Sequence, residues 1–407
     1  MSLKTISFLA VKDIKRDRKI ALLVVFLLAF SYINITFFAA FLNGLGNTFQ
    51  ESVIDTSTSH VIVTPSDSAG KYISDVSLIR KKIELDRDVT ATSERIHLPV
   101  TIFFGNKQTS VSATAIKPSD DMKVTTSASY VVSGDYLTDA SDGEIVLGRF
   151  IAGEKLEDRI GREQFGQVIE GLGVKVGEVV TVRFLNGVQK EFKVRGILSA
   201  EGFSSVSQDV MITQDEAKSV LGLGDHASSI LIRLDDRYKA NQVKQFILEQ
   251  GVKNVEVKTW EEASSFVGAI NSTFGIVTFA TSLVGIIIVL VTIGIVIFIN
   301  TSRKKRIIGV LKAIGMTSRQ VMSIFILQSL LLGTAGMLLG VAIFESIRLY
   351  VNSNPIHLPI GELRLILPVD SVVTAALLII VSAVIAGYVP ARSASKQKIL
   401  EAIKTVE

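Results

Sequence analysis

The 407-residue chain contains no cysteine. That excludes a disulfide framework and any cysteine-based metal site. It has four histidines, His60, His97, His226 and His357, isolated from one another and never in a His-Glu-x-x-His arrangement. No Gly-x-x-x-x-Gly-Lys-Ser/Thr occurs, so the chain carries no phosphate-cradling loop of its own. The glycine-rich run Gly171–Gly177 leads into a strand pattern, not into Lys-Ser/Thr, and reads as a turn. There is no serine nucleophile elbow. No acid pair lies inside an apolar run, where it could relay protons. Enzymatic activity in this chain alone is not expected.

Charge is also missing from four long windows. The chain is 48% hydrophobic with positive mean hydropathy, and its apolar residues are concentrated. The uncharged windows are Ile20–Leu42, the stretch 263–302 with its most apolar part at Phe274–Ile299, Gln320–Phe344 and Ser371–Ala391. Each supplies the ~20 residues that a helix needs to cross ~30 Å of hydrocarbon. Four membrane spans are therefore expected, at 20–45, 270–302, 320–346 and 369–391. The first is expected to be retained, being long for a signal-peptide core and lacking a small-x-small cleavage site.

The charges outside these windows are segregated. Residues 1–19 carry six Lys/Arg against Asp13 and Asp17. The loop 303–319 carries six (Arg303, Lys304, Lys305, Arg306, Lys312, Arg319) and no acid. The tail 392–407 carries four against Glu401 and Glu407. These segments hold sixteen basic and four acidic residues, +12. The segment between the first two windows has 25 basic and 32 acidic residues, −7, and the short loop 347–368 between the last two is close to neutral. The positive-inside rule places both termini and the 303–319 loop in the cytoplasm, and the large segment outside. The outer segment is acidic, so a nucleic-acid footprint is not expected. Residues 1–19 place Leu3, Ile6, Ala10 and Ile14 on one helical face, which predicts an amphipathic helix on the inner membrane surface.

Residues 46–265 mix strand and helix signals. His60–Thr64 reads as a strand ended by Pro65. Val100–Phe104 and Gln108–Ile116 flank Gly105-Asn106 as a hairpin, and Val179–Leu185 and Val188–Leu198 flank Asn186-Gly187 as a second one. Ser229–Leu234 is another strand. Asp75–Leu85, Asp215–Leu221 and Lys239–Gln250 read as helices, the second closed by Gly222. The expected fold class is a membrane protein with four transmembrane helices and a large α+β extracytoplasmic domain between the first and second. In the third window Gly333, Gly336 and Gly340 carry a GxxxG, which allows close helix approach in lipid. Thr317-Ser-Arg-Gln320 fits a capping box that starts a new helix after Gly315.

Several stretches then join. Leu9–Lys19 precedes the first span, Leu172–Val182 is followed by Val194-Arg-Gly-Ile197, and Thr259-Trp-Glu261 approaches the second span. Arg306–Gly315 reads RIIGVLKAIG, and Gly387–Ser395 reads GYVPARSAS, with Glu401-Ala402 beyond it. In this order the chain resembles permease subunits of the MacB/FtsX-like ABC transporter family, which includes lipoprotein-releasing permeases. The family's Arg-Glu-Ile-Gly-x-Leu-Lys-Ala-Ile-Gly has its glutamate where this chain has Ile307. The resemblance implies a MacB-like outer domain and a separate ABC ATPase that holds the ATP and magnesium, with no cofactor in this chain. It implies a coupling element of Arg303, Arg306, Ile307, Ile308, Gly309, Leu311, Lys312, Ala313, Ile314 and Gly315. Ile308, Leu311 and Ile314 would fill a groove on the ATPase. It also marks Pro390, Ala391 and Arg392 as a cytoplasmic tail motif. A second permease in a homo- or heterodimer, membrane lipids, and a lipoprotein cargo or periplasmic adaptor are the implied partners, in the cell membrane. The implied mechanism is mechanotransmission, in which ATP-driven closure moves the outer domains to release lipoprotein or export hydrophobic or peptide cargo. Two other readings stay open: an FtsX-like regulator that activates a cell-wall hydrolase, and a receptor or scaffold without an ATPase.

Overall fold

The computed structural model describes residues 3–66, 70–153, 171–200, 205–303, 308, 312, 315–358 and 361–395. The chain divides into two units. One comprises Met1–Gly46, Asn271–Ile356 and Glu362–Glu407, and the other Asn47–Ile270 and His357–Gly361.

The first unit is helical. Its elements are α1 (Leu3–Arg16), α2 (Arg18–Val53, which continues past the unit boundary), α7 (Ser265–Arg303), α8 (Ser318–Ser353) and α9 (Val369–Ser395). Among the described residues four helices, α2, α7, α8 and α9, are long and apolar enough to cross a membrane. Backbone polar groups in hydrocarbon must be satisfied within their own segment, which is why apolar runs of this length fold as helices. Their shared core contains Leu28, Tyr32, Val289, Ile293, Ile297, Phe325, Phe344 and Ile379. Many other apolar side chains on these helices face outward, among them Leu22, Phe279, Val291, Leu338 and Leu377.

The second unit is built on one ten-stranded mixed sheet. Its strands are β1 (Val61–Pro65), β2 (Val89–Phe104), β3 (Lys107–Ile116), β4 (Val131–Gly134), β5 (Glu144–Gly148), β6 (Val179–Phe184), β7 (Gln189–Leu198), β8 (Val210–Thr213), β9 (Ser229–Leu234) and β10 (Val255–Thr259). The spatial order is β10-β1-β9-β2-β3-β8-β5-β7-β4, and β6 pairs with both β2 and β7. That last pairing closes a ring, β2-β3-β8-β5-β7-β6, into a small barrel. Alternate side chains point inward, so Ile96, Leu98, Val100, Ile102, Phe184, Phe192 and Val194 fill it.

The remaining strands form an open layer, β10-β1-β9-β2, antiparallel throughout. Helices α3 (Val76–Ile83) and α6 (Ala240–Glu249) connect β1 to β2 and β9 to β10. This is a β-α-β-β-α-β ferredoxin-like arrangement with the barrel inserted between its second and third strands. Val76, Ile79 and Ile83 of α3 and Val243 and Ile247 of α6 recur at helical spacing and bury against the layer, with Trp260 beside them. Two further short helices of the unit are α4 (Pro118–Val124) and α5 (Gln214–Leu221).

The elements read from the sequence between 60 and 250 are present, with two differences. The Gly105-Asn106 hairpin has a two-residue turn with positive φ at Gly105, as a type II′ turn requires. The second hairpin has a longer loop, Leu185 to Val188, in which only Gly187 has positive φ. Phe184 N–H donates to Val188 O (2.9 Å) and Gly187 N–H to Phe184 O (3.0 Å). Asn186 is held instead by its side chain, which donates to Val220 O (2.8 Å) and accepts from Val188 N–H (3.1 Å). Strand β2 is the larger difference. It begins at Val89, eleven residues before the expected Val100.

Candidate functional site

The loop between α7 and α8 is the candidate coupling element. Arg303 ends α7. Ile308 is 3% exposed and belongs to the core of the helical unit. It anchors the loop into its own bundle, so it is not presented to a groove on another chain as the sequence reading expects. Lys312 is half-buried, and its carbonyl accepts from Gly315 N–H (3.0 Å). Gly315 has φ +99°, a left-handed conformation that an L side chain strains to adopt, so glycine ends the loop there. Arg306, Ile307, Gly309, Leu311, Ala313 and Ile314 lie outside the described residues.

The next helix starts with a complete capping box. Thr317 Oγ1 accepts from Gln320 N–H (3.4 Å), and Gln320 Oε1 accepts from Thr317 N–H (3.0 Å). Met316 is buried beside it. Thus both ends of the loop are fixed, by Ile308 packing on one side and by Met316 and the cap on the other.

The three glycines of α8 lie where helices approach most closely. A Cβ at Gly333 would sit 2.9 Å from Ala383 Cβ of α9. One at Gly336 would overlap Leu28 Cβ of α2, and one at Gly340 would sit 2.8 Å from Tyr32 Cβ. The GxxxG therefore faces α2, while Gly333 faces α9. Gly387 of α9 likewise leaves no room for a Cβ against Ser329, and Gly285 of α7 lies against Ile35. Pro390, Ala391 and Arg392 fall within α9, with Arg392 exposed.

Three features were not read from the sequence. The first is a strap across α2. Asn352 accepts from Leu365 N–H (2.8 Å) and donates to Leu365 O (3.2 Å), and Ile366 N–H donates to Ala40 O (3.2 Å). The strap lies so close that a Cβ at Gly44 would overlap Arg364 O. The second is the packing of α1. Ile6, Leu9, Ala10 and Ile14 pack in the helical core, and buried Gln328 of α8 donates to Asp13 Oδ2 (2.6 Å). The face expected to lie on lipid is thus turned against α8.

The third is a polar seam in the sheet unit. Arg95 is buried on β2; its Nε donates to Asp121 Oδ1 (2.9 Å) and its Nη1 to Thr56 O (3.2 Å). Burial disfavours the Arg95 charge, and the Asp121 carboxylate outweighs it, so the guanidinium is held above its usual range. The neighbouring Glu94 accepts from Arg80 (3.2 Å) and Gln214 (2.6 Å). Among the described residues no cluster of His, Asp and Glu could hold a metal ion.

Comparison with known proteins bears out the resemblance read from the sequence. Residues 279–399 match the FtsX-like permease C-terminal family. The chain is 25% identical over 275 residues to the macrolide export ATP-binding/permease protein MacB of Hyphomonas neptunium, covering 63% of this chain and 40% of that protein. It is 22% identical over 240 residues to an uncharacterized ABC transporter permease of Methanocaldococcus jannaschii, covering 57% and 58% respectively. The chain thus spans about half the length of these curated relatives. Among solved structures, the periplasmic region of MacB from Actinobacillus actinomycetemcomitans aligns at 15% identity and a TM-score of 0.35, covering 55% of this chain and 95% of that one. The extracellular domain of the noncanonic ABC-type transporter YknZ aligns at 15% and 0.34, covering 50% and 100%. Overlaps this loose do not by themselves define a shared fold.

Proposed function

We propose that the chain is the permease subunit of an ABC transporter of the MacB/FtsX type, driven by a separate ATPase. The observation that carries this reading is the match of residues 279–399 to the FtsX-like permease family, which begins inside α7 and takes in the candidate coupling loop, α8 and α9. The ATPase, with its ATP and magnesium, docks at the end of the bundle that bears Arg303 and Lys312, on the cytoplasmic side. Both termini lie on that side and the sheet unit lies outside. The exposed apolar faces of α2, α7, α8 and α9 meet lipid or a second permease, since four helices enclose no pathway.

Work is done by movement of the outer unit, not by passage of cargo between helices. The loop suits this role because it is pinned at both ends. A push on Lys312 is delivered to Ile308 on one side and to the first turn of α8 on the other. The cargo is a lipoprotein or a hydrophobic molecule or peptide. No acid stands at Ile307 to bond the ATPase, so Arg303, Arg306 and Lys312 supply the polar contacts.

Lys312→Glu is expected to abolish stimulation of ATP hydrolysis when the purified complex is reconstituted. The outer unit should stay folded, as judged by fluorescence of Trp260, the only tryptophan. Stimulation that persists in the variant would remove the loop from the mechanism.

A further inference from the structure

The N-terminal helix buries one face on α8 and leaves the opposite face open. Phe8 is 61% exposed, and Val11, Lys12, Lys15, Arg16, Arg18 and Lys19 are exposed with it. Helical hydrogen bonding continues through the junction with α2: Asp17 N–H donates to Asp13 O (3.2 Å) and Ala21 N–H to Asp17 O (3.0 Å). Steps of three and four residues therefore stay on one face across it. Phe8, Lys12, Lys15, Lys19, Leu22, Phe26 and Phe30 form that single exposed stripe. Leu22 is 72% exposed, and Phe26 and Phe30 are more than half exposed. The stripe runs from exposed Phe8, through cations, to a fully apolar lipid-facing stretch.

We propose that the Lys12–Lys19 part of this stripe is a binding surface for anionic phospholipid headgroups. Leu22, Phe26 and Phe30 place the acyl chains, so the cations one to three turns before them fall at headgroup depth. Five exposed cations crowd this region, and among the described residues none has an acidic ion-pair partner; Lys12 lies over the Phe8 ring at 5.6 Å from its centroid. Their two acidic neighbours are half-buried, and Asp13 is bonded to Gln328. A phosphate is the complementary group that a bilayer supplies at this position. The Asp13–Gln328 bond and the buried Ile6–Ile14 face hold α1 in place. The lipid site is therefore joined to α8 at Gln328, about three turns into that helix.

The inference rests on α2 being a membrane span and does not require an ATPase partner. The test is native mass spectrometry of the full chain released from nanodiscs of equal phosphatidylglycerol and phosphatidylcholine. Wild-type protein should retain phosphatidylglycerol preferentially. Lys12→Gln with Lys15→Gln and Lys19→Gln should lower that preference about tenfold or more, since each cation near an anionic surface contributes separately. The arginine triple variant at the same positions should keep it. All three side chains are exposed, so thermal unfolding in neutral detergent should not change. Absence of a preference in the wild type, or an unchanged preference in the glutamine variant, overturns the proposal. In the second case the stripe faces a protein or solvent instead. Failure to incorporate into nanodiscs would instead overturn the membrane reading itself.

Discussion

The two units are held together in opposite ways. The sheet unit excludes water from large apolar clusters and tolerates charge in its interior, provided every charge has a partner. Arg95 and Glu94 sit side by side on its longest strand, each bonded from a different element. The helical unit has no such driving force between its helices, because lipid tails are as apolar as leucine. It is held by close approach at Gly333, Gly336, Gly340, Gly387 and Gly285, where backbones meet side chains with no space for a methyl group. The sheet unit should therefore break when a partner is removed, and the helical unit when an atom is added.

The largest effect is expected from Asp121→Ala. It strands a buried guanidinium and should destabilise the sheet unit by ~3–5 kcal/mol. Trp260 is buried in the same unit and reports its unfolding in denaturant. Replacing Arg95 and Asp121 together with leucine should cost much less, because no charge is then left unpaired. Equal losses in the single and double variants would contradict the view of the seam as a paired-charge device.

Next comes acid. His60 is buried and accepts through Nδ1 from Leu234 N–H (3.0 Å). Burial and then the nearby Arg233 guanidinium lower its pKa from 6.5 to about 4. The unfolded chain takes up this proton near 6.5 and the folded chain only near 4. The contribution is thus fully present above pH 6.5 and is lost as pH falls from 6.5 to 4. The loss is expected to reach ~2–3 kcal/mol in the sheet unit. His60→Gln should reduce the pH dependence of the Trp260 transition over that window, the remainder coming from His97, which burial and then Arg95 lower to about 4 as well; an unchanged slope would place the titration elsewhere.

Gly336→Leu tests the other half of the comparison. Its Cβ alone overlaps Leu28, so α8 must move away from α2, at ~1–3 kcal/mol. Far-ultraviolet circular dichroism in detergent should show an earlier loss of helix while the Trp260 transition stays in place. Simultaneous failure of both signals would mean that the units do not unfold separately. The smallest effect, ~1 kcal/mol, is expected for Thr317→Ala, which removes the cap of α8. Faster amide exchange confined to residues 318–322 would register it.

Much of this was legible in the sequence for identifiable reasons. Uncharged length disclosed the four long helices. The turn pairs Gly105-Asn106 and Asn186-Gly187 disclosed β3, β6 and β7, and the apolar run Ser229–Leu234 disclosed β9. Thr317-x-x-Gln320 disclosed a helix start, and Gly222 a helix end: φ is +64° there, and its N–H donates to Lys218 O. What stayed hidden depends on distant partners. The first half of β2 reads Val-Thr-Ala-Thr-Ser-Glu-Arg, a polar run that no strand pattern flags. It is a central strand because Arg80, Asp121 and Gln214, remote in sequence, satisfy its charges. The direction of α1 was hidden likewise. Both of its faces carry apolar residues, and only the buried Gln328 shows which one meets α8. The strap over Gly44 left no signal beyond the glycine itself. Of the loop between α7 and α8, the sequence disclosed the capping box at its end, but Ile308 packs inward, in the core of the helical unit.

The most direct test of the central claim is to purify the tagged full chain from its native membrane in gentle detergent and to identify by mass spectrometry what accompanies it. A stoichiometric P-loop ATPase is the predicted result, lost or weakened with Lys312→Glu. Recovery of the chain with no ATPase, even after cross-linking in the intact membrane, would contradict the account and favour a receptor or scaffold in its place.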